Sequence, residues 1–93
     1  MSEKRVATVR MEESYMQLTL EYSDAEFESS VCKSIVDLEQ KLKIYPEVIH
    51  RRDKDHGYCT IVEFSGDEYS SNRACGTFIE EVIEQLNLKD VVE

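Results

Sequence analysis

"MQLTLEYSDAEF", residues 16–27, decides how this chain is built, because its hydrophobic period changes partway through. Met16, Leu18, Leu20 and Tyr22 alternate with Gln17, Thr19 and Glu21. Successive side chains of a strand point to opposite faces, so this pattern predicts a strand with one face buried. From Ser23 the period lengthens. Serine followed by Glu26 in "SDAE" reads as a capping box, in which each side chain satisfies a free backbone N–H of the first helical turn. Beyond it Phe27, Val31, Ile35, Leu38 and Leu42 recur at helical spacing, and Cys32 and Val36 widen the stripe. The spacing predicts a helix from about Asp24 to about Leu42. It should end before Pro46, which disfavours helical backbone at the residue preceding it.

Upstream, "VATVRM" (6–11) is also rich in strand formers, and Glu12, Glu13 and Ser14 offer a turn. Residues 1–12 are then either a first strand or an extended arm. Downstream, "EVIHRRDKDHGYCTIVEF" (47–64) reads as a hairpin. Val48, Ile49 and His50 form its outgoing strand. "RRDKDHG" is the polar connection, with Gly57 able to take a positive φ. Tyr58 to Phe64 return as the strongest strand in the chain. "SGDEYSS" (65–71) breaks that strand and caps a last helix whose apolar face is Cys75, Phe78, Ile79, Val82, Ile83 and Leu86. Asn87 is a stop, and 88–93 is a short tail.

The expected fold is therefore α+β. Two helices pack on one face of an antiparallel sheet of three to four strands, in the order β-β-α-β-β-α with the first strand uncertain. All 93 residues form one domain. With two helices on one side, the other face of the sheet stays partly open. It carries either Cys59, Ile61 and Glu63 or Tyr58, Thr60 and Val62, depending on register. Both sets hold apolar groups, so a second polypeptide is expected to complete the surface.

Composition narrows the function. The chain has 20 acidic and 11 basic residues and a formal charge of −9. A duplex-binding protein normally carries a basic surface, so this balance opposes a stand-alone nucleic-acid binder. The three cysteines are odd in number and match no zinc spacing, so reduced thiols, no metal and an intracellular location are expected. No signal peptide or apolar run of membrane length is present, and no membrane association is expected.

Catalytic signatures are weak. Cys32 falls on an apolar helix stripe, where a core thiol is the ordinary reading. Cys75, near the start of the last helix, could have a lowered pKa there, and either His50 or His56 would be its base. Nothing in the spacing supports that pair. Gly57, Gly66 and Gly76 form no phosphate-binding loop, and "DKDHG" lacks the distal Glu of a calcium loop. No catalytic residues and no cofactor are assigned, and the chain is not expected to be an enzyme.

The charge is nonetheless polarised. Lys41, Lys43, His50, Arg51, Arg52, Lys54 and His56 crowd one third of the chain, while beyond Glu63 the bases are Arg73 and Lys89 alone. Arg51, Arg52 and Lys54 on a hairpin tip could touch phosphate or simply be solvated. Arg73 opposes the dipole at a helix start, which suggests an acceptor such as phosphate or a partner's carboxylate, or a local pair with Asp67 or Glu68. Gly76 costs roughly 1 kcal/mol in a helix relative to alanine. Close approach of another helix or chain would offset that cost. Ala74, Cys75, Gly76, Phe78, Ile79 and Val82 are therefore candidate interface residues.

One family fits these residues. An alternating strand leads into "SDAE" and a helix; "PE" (46–47) precedes a hairpin; then comes "FSGDEYSSNRACGTFIEEV" (64–82). Over about Met16 to Leu86 the chain resembles the small Pcc-type subunit of the KEOPS complex, also called EKC. Its Ser-x-Arg-Ala-like motif is matched by Ser71, Arg73 and Ala74. The resemblance implies a two-helix, antiparallel-sheet domain that pairs as a homodimer or heterodimer. It also implies docking on the catalytic Kae-type subunit of a complex that makes threonylcarbamoyladenosine in tRNA. On this reading Arg73 is a tRNA-contact candidate, and the location is the cytoplasm and, in a eukaryote, the nucleus. A different class of function is a small acidic inhibitor or nucleic-acid mimic. There Glu80, Glu81 and Glu84 would imitate phosphates against a basic protein.

Overall fold

The computed structural model describes residues 5–53, 57–66 and 74–92. The chain runs β1 (Arg5–Met11), β2 (Tyr15–Tyr22), α1 (Ala25–Leu42), β3 (Glu47–Asp53), β4 (Gly57–Ser65), α2 (Ala74–Gln85) and β5 (Asp90–Val92). The fold is the expected two-layer α+β arrangement, with one sheet in the spatial order β3-β4-β2-β1-β5. Residues 5–11 are a strand and not an arm. The segment read as a tail supplies a fifth strand, which pairs parallel with β1 and makes the sheet mixed. No helix among the described residues is long and apolar enough to cross a membrane.

Register explains the two faces. Leu18 stands opposite Val62, and Val62 opposite Val48; Leu20 stands opposite Thr60, and Thr60 opposite His50. Ala7, Leu18, Leu20, Tyr22, Thr60, Val62 and Phe64 share the helix-covered face, and all are buried. Phe27, Val31, Ile35 and Leu38 from α1 and Cys75, Phe78, Ile79 and Val82 from α2 close the core above them. The helices are also tied to each other. The Ser34 hydroxyl donates to Gln85 Oε1 at 2.7 Å, and Lys41 Nζ donates to Glu81 at 3.1 Å.

Chain ends of the elements have local causes. The N-cap of α1 is Asp24, one residue later than the expected Ser23. Its carboxylate accepts the Glu26 N–H at 2.9 Å, so Asp24 satisfies the free donor that the serine was expected to serve. Lys43 closes α1 with a left-handed φ of 56°. The stop at Asn87 is as expected. Asn87 takes φ 53°, its N–H reaches the Glu84 carbonyl at 3.1 Å, and the Leu88 N–H reaches that of Ile83 at 3.0 Å. These two bonds form a Schellman cap, which turns the chain back toward β1. Gly57 has φ +90°, and a Cβ there would sit 2.8 Å from the Tyr22 carbonyl oxygen, so only glycine fits where β4 begins beside β2. The outgoing strand of the hairpin is longer than expected. Arg51, Arg52 and Asp53, read as connection, pair with Cys59, Tyr58 and Gly57.

Candidate functional site

The open face is the one carrying Cys59, Ile61 and Glu63. A central row crosses it through Val92, Thr8, Thr19, Ile61 and Ile49. Beside it run Val6, Glu21, Cys59 and Arg51. Every described side chain on this face is half-buried or exposed, whereas the covered face is buried along its centre. At the margin Ile49 is 37% and Val92 53% exposed. This surface has the alternation of a half-buried sheet, and no described element lies over it.

Its outer margin is β3, where the basic residues sit. Strand alternation separates the two adjacent arginines. Arg51 lies on the open face, and no ion pair joins it to a described residue. Arg52 lies on the helix side, where its Nε donates to Glu28 Oε2 at 3.1 Å and its Nη2 donates to Oε1. The hydrogen bond from Arg52 holds the Glu28 carboxyl below its ordinary range. Of the four residues expected to meet RNA, Arg51 and Arg52 are thus neighbours that face apart, and Arg52 already has an acceptor. Arg73 and Lys54 lie outside the described residues, as do Ser71, Asn72 and His56.

Between α1 and β3 runs a groove of about 240 Å³, lined by Cys32, Ile35, Val36, Glu39, Pro46, Val48 and His50. Here the structure assembles a chain of polar groups that sequence reasoning missed. Cys32 Sγ lies 3.9 Å from His50 Nε2, His50 Nδ1 lies 3.0 Å from Thr60 Oγ1, and Thr60 Oγ1 lies 2.8 Å from the Tyr22 hydroxyl. A threonine hydroxyl has one proton to donate. If it donates to Tyr22, the ring keeps its Nδ1 proton and presents a lone pair at Nε2 toward the thiol. If it donates to His50, Nε2 carries the proton. Burial raises the Tyr22 pKa above its ordinary value of 10.0, with the hydrogen bond from Thr60 opposing that shift. Tyr22 therefore stays a neutral phenol in its pocket. One sequence signal did point to this network: His50 follows Val48 by two residues in β3, so the two side chains share a face. Cys32 and Val36 sit at the rim of the α1 stripe and not in the core; Val36 is 48% exposed.

The last helix corrects several expectations. Cys75, Phe78, Ile79 and Val82 were expected at a partner interface, but they are 2%, 0%, 3% and 0% exposed and fill the chain's own core. Their period marks the face that the sheet covers, and an amphipathic stripe does not say whose surface covers it. Ala74 and Gly76 are half-buried. A Cβ at Gly76 would meet nothing within 4 Å, so no packing inside this chain requires that glycine. Burial also removes Cys75 from solution, and the His50 ring faces Cys32 instead of Cys75. Glu80 and Glu84 are exposed one helical turn apart, while Glu81 is engaged by Lys41.

No family model matches the chain, and no curated protein or solved structure is significantly similar to it.

Proposed function

We propose that this chain is a non-catalytic assembly module that completes its fold against other polypeptides, in the manner of the Pcc-type subunit of a KEOPS-like complex. The observation that carries the assembly role is the sheet face built on Thr8, Thr19, Ile61 and Ile49, which no described element covers. A domain of this size has a modest core, and half-buried apolar rows of this kind are completed by association. The order of elements around α1 and α2 and the Ser71, Arg73 and Ala74 motif support the KEOPS-like form of the reading. In that form the chain docks on the catalytic Kae-type subunit, in the cytoplasm and, in a eukaryote, the nucleus. Arg51 and Arg73 add contacts to tRNA bound by the assembly, while the partner supplies most of the basic surface.

Co-purification of the tagged chain with the Kae-type subunit of the same organism tests this. Stoichiometric recovery is expected. A folded chain that fails to retain that subunit refutes the KEOPS-like role. Charge reversal at Glu80 and Glu84 should leave recovery unchanged; if it abolishes binding to a basic protein instead, the acidic-inhibitor reading replaces this one.

A further inference from the structure

We propose that Cys32 is a covalent modification site: His50 takes the thiol proton, and the sulfur exchanges with a low-molecular-weight disulfide whose alkylamine arm lies along the α1–β3 groove toward Glu39. The reaction is stoichiometric and leaves the assembly reading untouched.

The pair at the head of the groove comes first. Cys32 Sγ and His50 Nε2 are 3.9 Å apart, within hydrogen-bond reach for sulfur. A thiol becomes a nucleophile by losing its proton to a neighbouring base, and a third group orients that base. Thr60 Oγ1, 3.0 Å from His50 Nδ1, is the third group. It is fully buried and is itself held by the Tyr22 hydroxyl at 2.8 Å. Once the proton has moved to Nε2, both N–H groups of the imidazolium have acceptors, the sulfur on one side and Thr60 on the other. Cys32 is half-buried and His50 exposed, so a reagent reaches the sulfur from solution. Cys75, in the core, offers no such access.

The groove defines the ligand. Cys32, Ile35, Val36 and Glu39 line it from successive turns of α1, opposite Pro46 and Val48. Cys32 and Glu39 are seven residues apart, about 10 Å along the helix. Between them the walls are apolar. Glu39 is joined to no described residue by an ion pair, and burial raises its carboxyl pKa above the ordinary 4.5. A carboxylate that has lost water and gained no cation favours a positively charged ligand. Arg52, two residues beyond His50 on the same face of β3, is already engaged by Glu28. An amine on an arm of about six methylenes therefore reaches Glu39 from a sulfur bonded to Cys32.

The walls also select the reaction. Attack on an acyl carbon would place negative charge on oxygen, and Ile35, Val36, Pro46 and Val48 carry no side-chain donor to meet it. Disulfide exchange develops charge on sulfur alone. The Cys32 sulfur bonds to the near sulfur of the reagent, the reagent's S–S bond breaks, and its electron pair leaves with the outer sulfur. His50 Nε2 returns the proton to that thiolate. The products are a mixed disulfide on Cys32 and one free thiol, with the reagent disulfide as the only oxidant.

The test treats the full chain at neutral pH with bis(aminohexyl) disulfide and with its neutral analogue bis(hydroxyhexyl) disulfide. Thiol release gives the rate, and peptide mass mapping gives the site. Cys59, half-buried on the open sheet face, is the reference thiol, because the chain's charge of −9 draws an amine toward both positions. Cys32 should react with the amine reagent roughly tenfold or more faster than Cys59. Its preference for the amine over the neutral reagent should exceed that of Cys59 by about threefold or more. His50→Gln should slow Cys32 roughly tenfold or more with either reagent and leave Cys59 unchanged. Glu39→Gln should remove the excess preference and leave the rate with the neutral reagent unchanged. Neither side chain lies in the core, so circular dichroism should show both variants folded. A Cys32 that reacts no faster than Cys59, or whose rate ignores His50→Gln, overturns the site. Equal amine preference at the two thiols, or a preference that survives Glu39→Gln, overturns the ligand class. None of these readouts involves the Kae-type subunit, so the site and the assembly role fail separately.

Discussion

Replacing Thr60 by valine tests the polar chain beneath α1. Valine keeps the shape of threonine and removes only the hydroxyl. Thr60 is 0% and Tyr22 1% exposed, so no solvent reaches the phenol that loses its partner. In wild type that phenol lies 2.8 Å from Thr60 Oγ1. An orphaned buried hydroxyl costs about 1–3 kcal/mol. His50 loses the same partner at 3.0 Å, but it is exposed and water replaces the bond. In a domain of this size each kcal/mol moves the thermal midpoint by roughly 4–8 °C, so Thr60→Val should melt roughly 5–20 °C lower.

The cycle with Tyr22→Phe makes the reasoning refutable. Tyr22→Phe removes one net hydrogen bond, about 0.5–1.5 kcal/mol, and leaves Thr60 its bond to His50. In the double variant no polar atom is stranded beside the tyrosine ring. The double variant should therefore be more stable than the sum of the single losses implies, by about 1 kcal/mol or more. Urea unfolding followed by circular dichroism measures all four proteins, and unchanged slopes confirm that the same transition is compared. If Thr60→Val lies within about 0.5 kcal/mol of wild type, or if the losses simply add, Tyr22 is not held as described.

Two further outcomes follow from single positions. Gly57→Ala should destabilise by more than about 1 kcal/mol, because its φ of +90° is strained for alanine and the new Cβ meets the Tyr22 carbonyl oxygen at 2.8 Å; Gly76→Ala, with open space and helical backbone, should stabilise by up to about 1 kcal/mol, and equal signs in thermal melts would contradict the placement of both. Glu28 has a depressed carboxyl pKa, chiefly through its hydrogen bond from Arg52. The folded state therefore binds its proton less readily than the unfolded chain. The pair's stabilisation is present above the ordinary carboxylate value of 4.5 and fades as pH falls through the lowered folded value. Arg52→Gln should be slightly less stable than wild type at neutral pH and indistinguishable from it in acid; a difference that persists or grows in acid refutes the pair as its cause.

Most of the fold was legible because its signals are local. The alternation of Met16 to Tyr22, the stripe from Phe27 to Leu38 and the αL stop at Asn87 each depend on residues a few positions apart. What could not be read depends on pairing across the sheet. The three residues of β5 carry no period of their own and become a strand only because the Schellman cap at Asn87 aims them at β1. The choice between Cys59–Ile61–Glu63 and Tyr58–Thr60–Val62 as the open set needed the partner strand. The site was less legible for the same reason. Cys32 and His50 are 18 residues apart, and only the packing of α1 over β3 brings sulfur to nitrogen. The apolar residues of α2 looked equally suited to a core and to an interface, since burial inside one chain and burial between two chains select the same side chains.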